Sequence, residues 1–200
     1  MSFNSRFLDV AGNRHKIDTL TGRKIMKSVL VTLGVFIVLG VLGAAAVIYS
    51  GVFNVAATVT DAAPLRWVLI TTREASIRRH ARDIQAPASG GAEQVENGFR
   101  IFREACAMCH TPPGRPATMM TKGLNPEAPA LAELVEDMTD AELFWVTRNG
   151  IRFTGMPAWG SSLNDPDIWD VVAFMRTSPN MKAADYDALD RRVPSKNGTR

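Results

Sequence analysis

The feature that most constrains the fold of this chain is an uncharged apolar run near its N-terminus. The run extends over 22 residues from Ser28 to Tyr49, "SVLVTLGVFIVLGVLGAAAVIY", and the next charge after Lys27 is that of Asp61. As an α-helix, such a run spans roughly 33 Å, enough to cross the hydrocarbon core of a bilayer. A core helix of a soluble domain normally carries a polar stripe, which this run lacks. The sequence therefore predicts one transmembrane anchor over residues 28–49.

A cleaved signal peptide is the alternative that the sequence leaves open. The apolar region of a signal peptide usually has about 7–15 residues and follows a short basic lead-in. Here the apolar run is longer, and residues 1–27 precede it. The small residues at positions 44–46 nevertheless offer a cleavage site.

The charges that flank the run predict its orientation. Six basic residues lie before it against two acidic residues, whereas only Asp61 and Arg66 follow within about 20 residues. The positive-inside rule then places residues 1–27 in the cytoplasm and everything beyond residue 50 outside it. Residues 1–91 carry a net charge of +6 (11 Lys/Arg, 5 Asp/Glu), and residues 92–200 carry −3 (12 against 15). Residues 92–200 contain the part that is expected to fold, and their net negative charge would repel the phosphates of a nucleic acid. We therefore expect no nucleic-acid partner.

Composition divides the chain beyond the anchor into three parts. Residues 50–91 form a connecting segment: the stretch 65–84 has apolar residues and five arginines, and "QAPASGG" at 85–91 is typical of a flexible linker. We expect the stretch 65–84 to lie on the membrane surface with Trp67 among the headgroups, to dock on a partner subunit, or to be a solvated helical spacer. Residues 92–178 are predicted to form the folded domain, and residues 179–200 a polar, loosely ordered tail.

The folded domain is predicted to be all-α. Apolar residues at helical spacing predict a first helix over 92–105. A capping box at Thr139 begins a second helix, which Gly150 ends. A third helix begins at Asp165-Pro166 and ends before Ser178-Pro179. The stretches 111–128 and 150–164 are rich in Pro, Gly and Met, which predicts loops.

Both cysteines of the chain and one of its three histidines lie together in "EACAMCHTPPG". A zinc site would need a fourth ligand, and the remaining histidines are His15, which lies before the anchor, and His80. A thioredoxin-like redox pair would follow a strand rather than a helix, and a disulfide would leave His110 unexplained. Covalent attachment of haem uses all three residues: Cys106 and Cys109 form thioethers, and His110 ligates the iron. The sequence therefore predicts one covalently bound haem c on the extracytoplasmic side.

The second axial ligand distinguishes an electron carrier from an open-haem enzyme or gas sensor. Met156 lies in "TGMPAWG", between the second and third predicted helices, where Pro157 restrains the backbone and Gly155 permits close approach. Most of the other methionines are explained by position or packing, and Met119 and Met120 remain weaker candidates. We predict Met156 as the distal ligand.

The segments "GFRIFREACAMCH", "GMPAW" and "DIWDVVAFMRT" resemble the class I c-type cytochromes, especially membrane-anchored bacterial members and haem c subunits of respiratory oxidases. The resemblance covers about residues 95–178. It implies that Cys106 and Cys109 attach the haem and that His110 and Met156 ligate the iron. It also implies that the first and last helices cross near the haem, with Gly98 and Phe102 against the face around Trp169 and Val172.

The haem propionates require hydrogen-bond donors. Arg152 and Trp159 are the first candidates by position in the sequence, followed by Arg115 and Arg148. Taken with the anchor, the resemblance predicts a non-enzymatic electron carrier in the bacterial cytoplasmic membrane with its haem domain in the periplasm. Its expected partners are redox proteins in or near the membrane and the lipid bilayer. Permanent membership of a larger respiratory or dehydrogenase complex remains an alternative.

Overall fold

The structure of the chain is a computed structural model. It describes the backbone of residues 5–88 and 91–195, and the side chains of residues 23–88 and 91–195. The described part is all-helical, without strands, as the sequence predicts. The chain divides into two compact units, Met1–Val55 and Ala56–Arg200.

The first unit contains a single long helix, α1, Ser5–Ser50. Its part Arg23–Ser50 has a mean hydropathy of 2.7, and none of its apolar window is buried. By length and composition this helix can cross a membrane. The helix begins well before the predicted anchor at residue 28, so the basic lead-in is helical too. The side chains of Arg6, Arg14 and Lys16, on which the orientation partly depends, lie outside the described residues.

The second unit is built around two crossing helices, α3 and α7. In chain order, its helices are α2 (Ala63–Ala81), α3 (Ala92–Ile101), a π-helical turn (Phe102–Cys106), α4 (Met119–Gly123), α5 (Leu131–Asp137), α6 (Asp140–Asn149), a 3-10 turn (Trp159–Ser161), α7 (Asp165–Thr177), a 3-10 turn (Ser178–Asn180) and α8 (Ala183–Arg192). The three helices that the sequence predicts most clearly are α3, α6 and α7, and all three are confirmed.

Local signals account for the ends of these helices. At the start of α6, the Glu142 carboxylate accepts the backbone N–H of Thr139 at 2.8 Å, and the Thr139 hydroxyl accepts that of Glu142 at 3.3 Å. This is the predicted capping box. Gly150 ends α6 with a positive φ of 67°. At the start of α7, the Asn164 side chain accepts the backbone N–H of Asp167 at 2.8 Å, which satisfies one of the free donors of the first turn.

The crossing of α3 and α7 is confirmed, and the two backbones approach each other closely at Gly98. A Cβ atom on Gly98 would lie 1.9 Å from the carbonyl oxygen of Asp170 and 3.0 Å from the Cβ of Phe174. Only a residue without a side chain permits this backbone approach. Phe102 packs beside it, with its ring centroid 5.2 Å from that of Phe174. Trp169, predicted on the face at the crossing, packs on the same core, and its ring stacks on that of Phe144 in α6 with the two centroids 4.2 Å apart.

The prediction of a loosely ordered tail is wrong for residues 183–192, which form α8. Tyr186 and Val193 are buried in the main core, and the ring of Tyr186 lies 5.1 Å from that of Phe99. Arg103 donates to the Asp190 carboxylate at 2.9 Å. Tyr186 and Val193 lie among mostly polar residues in the sequence, so no apolar pattern predicts that this segment packs on α3. Residues 196–200 of the predicted tail lie outside the described part.

The second half of α2 packs against α6, inside the same compact unit as the folded domain. Ile77 and Ala81 are buried, and the His80 ring stacks on Trp145 at 5.4 Å. Ile84 also packs on the main core. The unit therefore begins before the boundary that the sequence places at residue 92. The reason is that two apolar residues four apart in α2 are buried where this helix packs on the rest of the unit. Of the predicted linker 85–91, Ser89 and Gly90 lie outside the described residues.

Candidate haem-binding site

A tight turn brings the cysteines and the histidine of the motif together. The helix that precedes them continues as the π-helical turn Phe102–Cys106. In this turn the backbone N–H of Ala107 donates to the carbonyl oxygen of Phe102 at 2.8 Å. The backbone N–H groups of Cys109 and His110 then both donate to the Cys106 carbonyl, at 3.0 and 2.9 Å. Both cysteines are free thiols and half-buried. Single π-helical turns of this kind often mark functional positions in helices.

The imidazole of His110 is oriented by a backbone carbonyl. Its Nδ1 lies 2.9 Å from the carbonyl oxygen of Pro129. Because a carbonyl oxygen only accepts, Nδ1 carries the proton, and the lone pair of Nε2 is left for a metal ion. Burial lowers the pKa of His110 below its ordinary value, partly offset by the hydrogen bond to Pro129. The neutral imidazole that results is the form that binds iron.

The Cys106 thiol lies in an apolar environment. Burial, and to a lesser extent the neighbouring Cys109, raises the pKa of the Cys106 thiol to about 12. An apolar environment disfavours a thiolate and accommodates an uncharged sulfur. A thioether bond to haem would leave the sulfur uncharged, as this environment requires.

Two threonines at the start of α4 donate to two carbonyl groups of the attachment turn. The Thr121 hydroxyl donates to the carbonyl of Cys109 at 2.6 Å, and the Thr118 hydroxyl donates to that of Met108 at 2.7 Å. Thr118 also caps α4, by accepting the backbone N–H of Thr121 at 3.0 Å. The sequence prediction missed this short helix and treated the stretch as loop. The Thr-x-x-Thr spacing at its start is the signal that could have found it.

The loop that carries Met156 is held by hydrogen bonds within it. The backbone N–H of Ile151 donates to the Met156 carbonyl at 3.2 Å, and the backbone N–H of Met156 donates to the Thr154 hydroxyl at 3.1 Å. Phe153 adopts a left-handed conformation with φ of 62°, which is uncommon for a residue with a bulky side chain. Met156 itself is half-buried.

Two glycines allow this loop to pack closely. A Cβ atom on Gly150 would lie 2.7 Å from the carbonyl oxygen of Met156, and one on Gly155 would lie 2.7 Å from the Leu124 side chain. Leu124 begins the segment 124–130, whose Pro129 holds the His110 ring. One segment thus contacts both the attachment turn and the methionine loop. The sequence prediction identified neither Leu124 nor Pro129.

The other methionines of the second unit differ from Met156 in their environments. Met108, Met119 and Met120 are exposed, Met119 to 93%. Met175 is buried in the core, and Met138 and Met181 pack against it. Met156 is the half-buried methionine of the predicted ligand loop, and it remains the prediction for the distal ligand.

The four candidate donors for the propionates fall into two pairs. Arg115 is ion-paired with Asp187, and Arg148 donates to the Asp165 carboxylate at 2.8 Å. Arg152 is exposed and Trp159 is half-buried, and neither side chain has a hydrogen-bond partner among the described residues. The two first candidates therefore keep their donor groups available.

These residues fit haem c by their chemistry: two half-buried cysteines three positions apart, and a neutral imidazole whose proton is fixed on Nδ1. Comparison with protein families decides the class. Residues 93–175 match the family model described as cytochrome c oxidase, cbb3-type, subunit III. Residues 93–175 are a class I c-type cytochrome domain, like those of the haem c subunits of cbb3 oxidases.

The matched part of the cytochrome domain begins in α3 and ends in α7, so it contains the motif, the methionine loop and the helix crossing. A c-type cytochrome binds haem c and transfers electrons. No curated protein sequence matches the chain. The family match does not extend to α1, α2 or α8.

Proposed function

We propose that this chain is a membrane-tethered monohaem cytochrome that passes single electrons between respiratory-chain partners at the periplasmic face of a bacterial cytoplasmic membrane. The observation that carries the proposal is the Cys106-x-x-Cys109-His110 turn within the cytochrome domain, with the His110 ring oriented by Pro129. Its role is electron transfer rather than catalysis.

In this proposal, Cys106 and Cys109 would hold one haem covalently, His110 and Met156 would ligate its iron, and Arg152 and Trp159 would bind its propionates. Haem c supplies a reversible one-electron couple. The chain contributes a rigid apolar shell that limits reorganisation, and the thioether of Met156 favours the reduced state. Two fixed protein ligands leave no open position for a substrate, which favours a carrier over an enzyme.

Replacing either Cys106 or Cys109 by Ser should remove one thioether and greatly lower the yield of holoprotein. Replacing His110 by Ala should abolish the low-spin spectrum, because the proximal ligand is lost. Haem staining of denaturing gels and absorption spectra measure both effects. Met108→Ala, between the two cysteines, is the matched control and should retain haem. Haem that acidic acetone extracts from the unaltered protein would contradict covalent attachment.

The proposed topology predicts an uncleaved anchor with its N-terminus in the cytoplasm. The helix Arg23–Ser50 and the basic residues before it support this orientation. A reporter that is active only in the periplasm should be active when fused after residue 200 and inactive when fused before residue 1. N-terminal sequencing that begins near Val47 would instead identify a cleaved signal and a released protein.

The description of the matching family favours a second candidate function, a permanent haem c subunit of a larger respiratory complex. In the anchor, Gly40 and Ala44 are small residues four apart, the spacing that allows membrane helices to pack closely. Detergent purification at native abundance separates the candidates. A permanent subunit co-purifies with other polypeptides in fixed ratio, whereas a tethered carrier purifies alone.

A further inference from the structure

The first half of α2 exposes large apolar side chains that the cytochrome domain does not cover. The buried residues of this helix, Ile77 and Ala81, lie in its second half. In its first half Trp67 is 68% exposed. We define the α2 apolar patch as the exposed large apolar residues of this half, Leu65, Trp67, Val68, Leu69 and Ile70. Five such residues within six positions mark an interaction surface rather than ordinary solvent-facing helix.

The chain that leads into α2 is short and is fixed to its own unit. The Asn125 side chain donates to the carbonyl of Val59 at 2.9 Å. Nine residues separate Ser50, the end of the apolar helix, from Val59, and they reach at most about 30 Å. A folded unit of 145 residues (56 to 200) has a radius of gyration of about 15 Å. If Ser50 lies at the membrane surface, as in the proposed function, this segment limits Val59 to about 30 Å from the bilayer, and α2 begins four residues later, so α2 is within reach of the lipid headgroups.

The charges of α2 complement an anionic lipid surface. The helix carries four arginines against one carboxylate, a net charge of +3. That carboxylate, Glu74, lies 3.7 Å from Arg73 and 3.8 Å from Arg78. Arg66 lies within the apolar patch and is exposed. Arginines beside an exposed tryptophan and aliphatic residues are typical of segments that lie in the headgroup region of a membrane.

We propose that the α2 apolar patch inserts into the headgroup region of the leaflet beside the cytochrome domain, with Arg66 at the lipid phosphates. The inference rests on the proposed function, because it requires the anchor. Since the second half of α2 packs on α6, with His80 stacked on Trp145, insertion fixes the orientation of the whole cytochrome domain. The domain then serves redox partners at the membrane surface and does not swing freely on a flexible tether.

Site-directed spin labelling of the full-length holoprotein tests this inference. We would label Trp67→Cys, and as a matched control Ala188→Cys, an exposed position of α8. Each protein is placed in vesicles of phosphatidylcholine and anionic phosphatidylglycerol, and the relaxation of the label without either reagent, which includes any effect of the haem iron, is subtracted. Collisions with oxygen, which partitions into lipid, are compared with collisions with a water-soluble nickel chelate. We expect the ratio of oxygen to nickel collisions to be several-fold higher at position 67 than at 188.

The collision ratios show whether lipid, water or protein surrounds the α2 apolar patch. Equal ratios at positions 67 and 188 would overturn the inference, since the patch would then be in water. A label at position 67 that is shielded from both reagents would also overturn it, in favour of a protein partner or a second copy of the chain. Flotation of the holoprotein with the vesicles tests the anchor separately. Protein that fails to float contradicts the proposed function, whereas protein that floats with an aqueous label contradicts only this inference.

Discussion

Met156→Ala should leave haem attached while lowering the reduction potential and opening the iron to carbon monoxide. The haem stays because Cys106, Cys109 and His110 are unchanged. The potential falls because a thioether favours ferrous iron more than water or no ligand does. We expect a decrease on the order of 0.1–0.3 V, within the roughly 0.8 V range over which axial ligands tune haem. Spectroelectrochemical titration measures the potential, and the weak red sulfur-to-iron band of the oxidised state should disappear.

Met119→Ala and Met120→Ala are the matched controls for this experiment. Both residues lie in α4, outside the methionine loop, and both are exposed. These variants should keep the potential and the red band. If either control loses them while Met156→Ala retains them, the ligand comes from α4 instead. If the unaltered protein lacks the band and already binds carbon monoxide, an open-haem enzyme or sensor replaces the carrier.

Gly98→Ala should destabilise the cytochrome domain by at least about 2 kcal/mol, despite the higher helix propensity of alanine. Propensity favours the substitution by about 1 kcal/mol. The new methyl group, however, would lie 1.9 Å from the carbonyl oxygen of Asp170. That oxygen belongs to the backbone of α7 and cannot rotate away, so the two helices must separate and the packing of Phe102 on Phe174 is lost. Denaturant titration of the holoprotein measures the change.

Gly123→Ala is the matched control, because a Cβ atom at this helical glycine would meet nothing within 4 Å. We expect its free energy of unfolding to be equal to, or up to about 1 kcal/mol higher than, that of the unaltered protein, since only helix propensity changes. An unchanged denaturation midpoint for Gly98→Ala would contradict the close crossing of α3 and α7.

Short-range sequence signals were sufficient for the parts of the molecule that depend on neighbouring residues. The capping box at Thr139 and the glycine at position 150 define α6 through bonds between residues a few positions apart. The long apolar helix was equally predictable, because hydropathy over a window of residues is a property of the chain itself. The motif of Cys106, Cys109 and His110 is local as well, and it indicates its chemistry before any fold is known.

Contacts between distant segments had to come from the tertiary structure. Pro129 orients His110 through a backbone carbonyl, which any residue possesses, so no side-chain pattern marks it. Leu124 against Gly155 and Tyr186 against Phe99 join segments far apart in sequence, and each involves an apolar residue with no periodic partner nearby. The same holds for α2, whose two buried residues were too few to distinguish a docked helix from a spacer.

The sequence by itself thus predicted the chemistry of the site and determined the helices that flank it, because thiols, an imidazole and helix caps act over one or two turns of chain. Only the tertiary structure decided how Gly98 brings α3 against α7, where α8 lies, and that α2 belongs to the cytochrome unit. The physical reason is that a side chain is buried only when two segments of the chain pack together. The sequence shows which segments carry apolar residues, and only the folded structure shows which of these segments pack against each other.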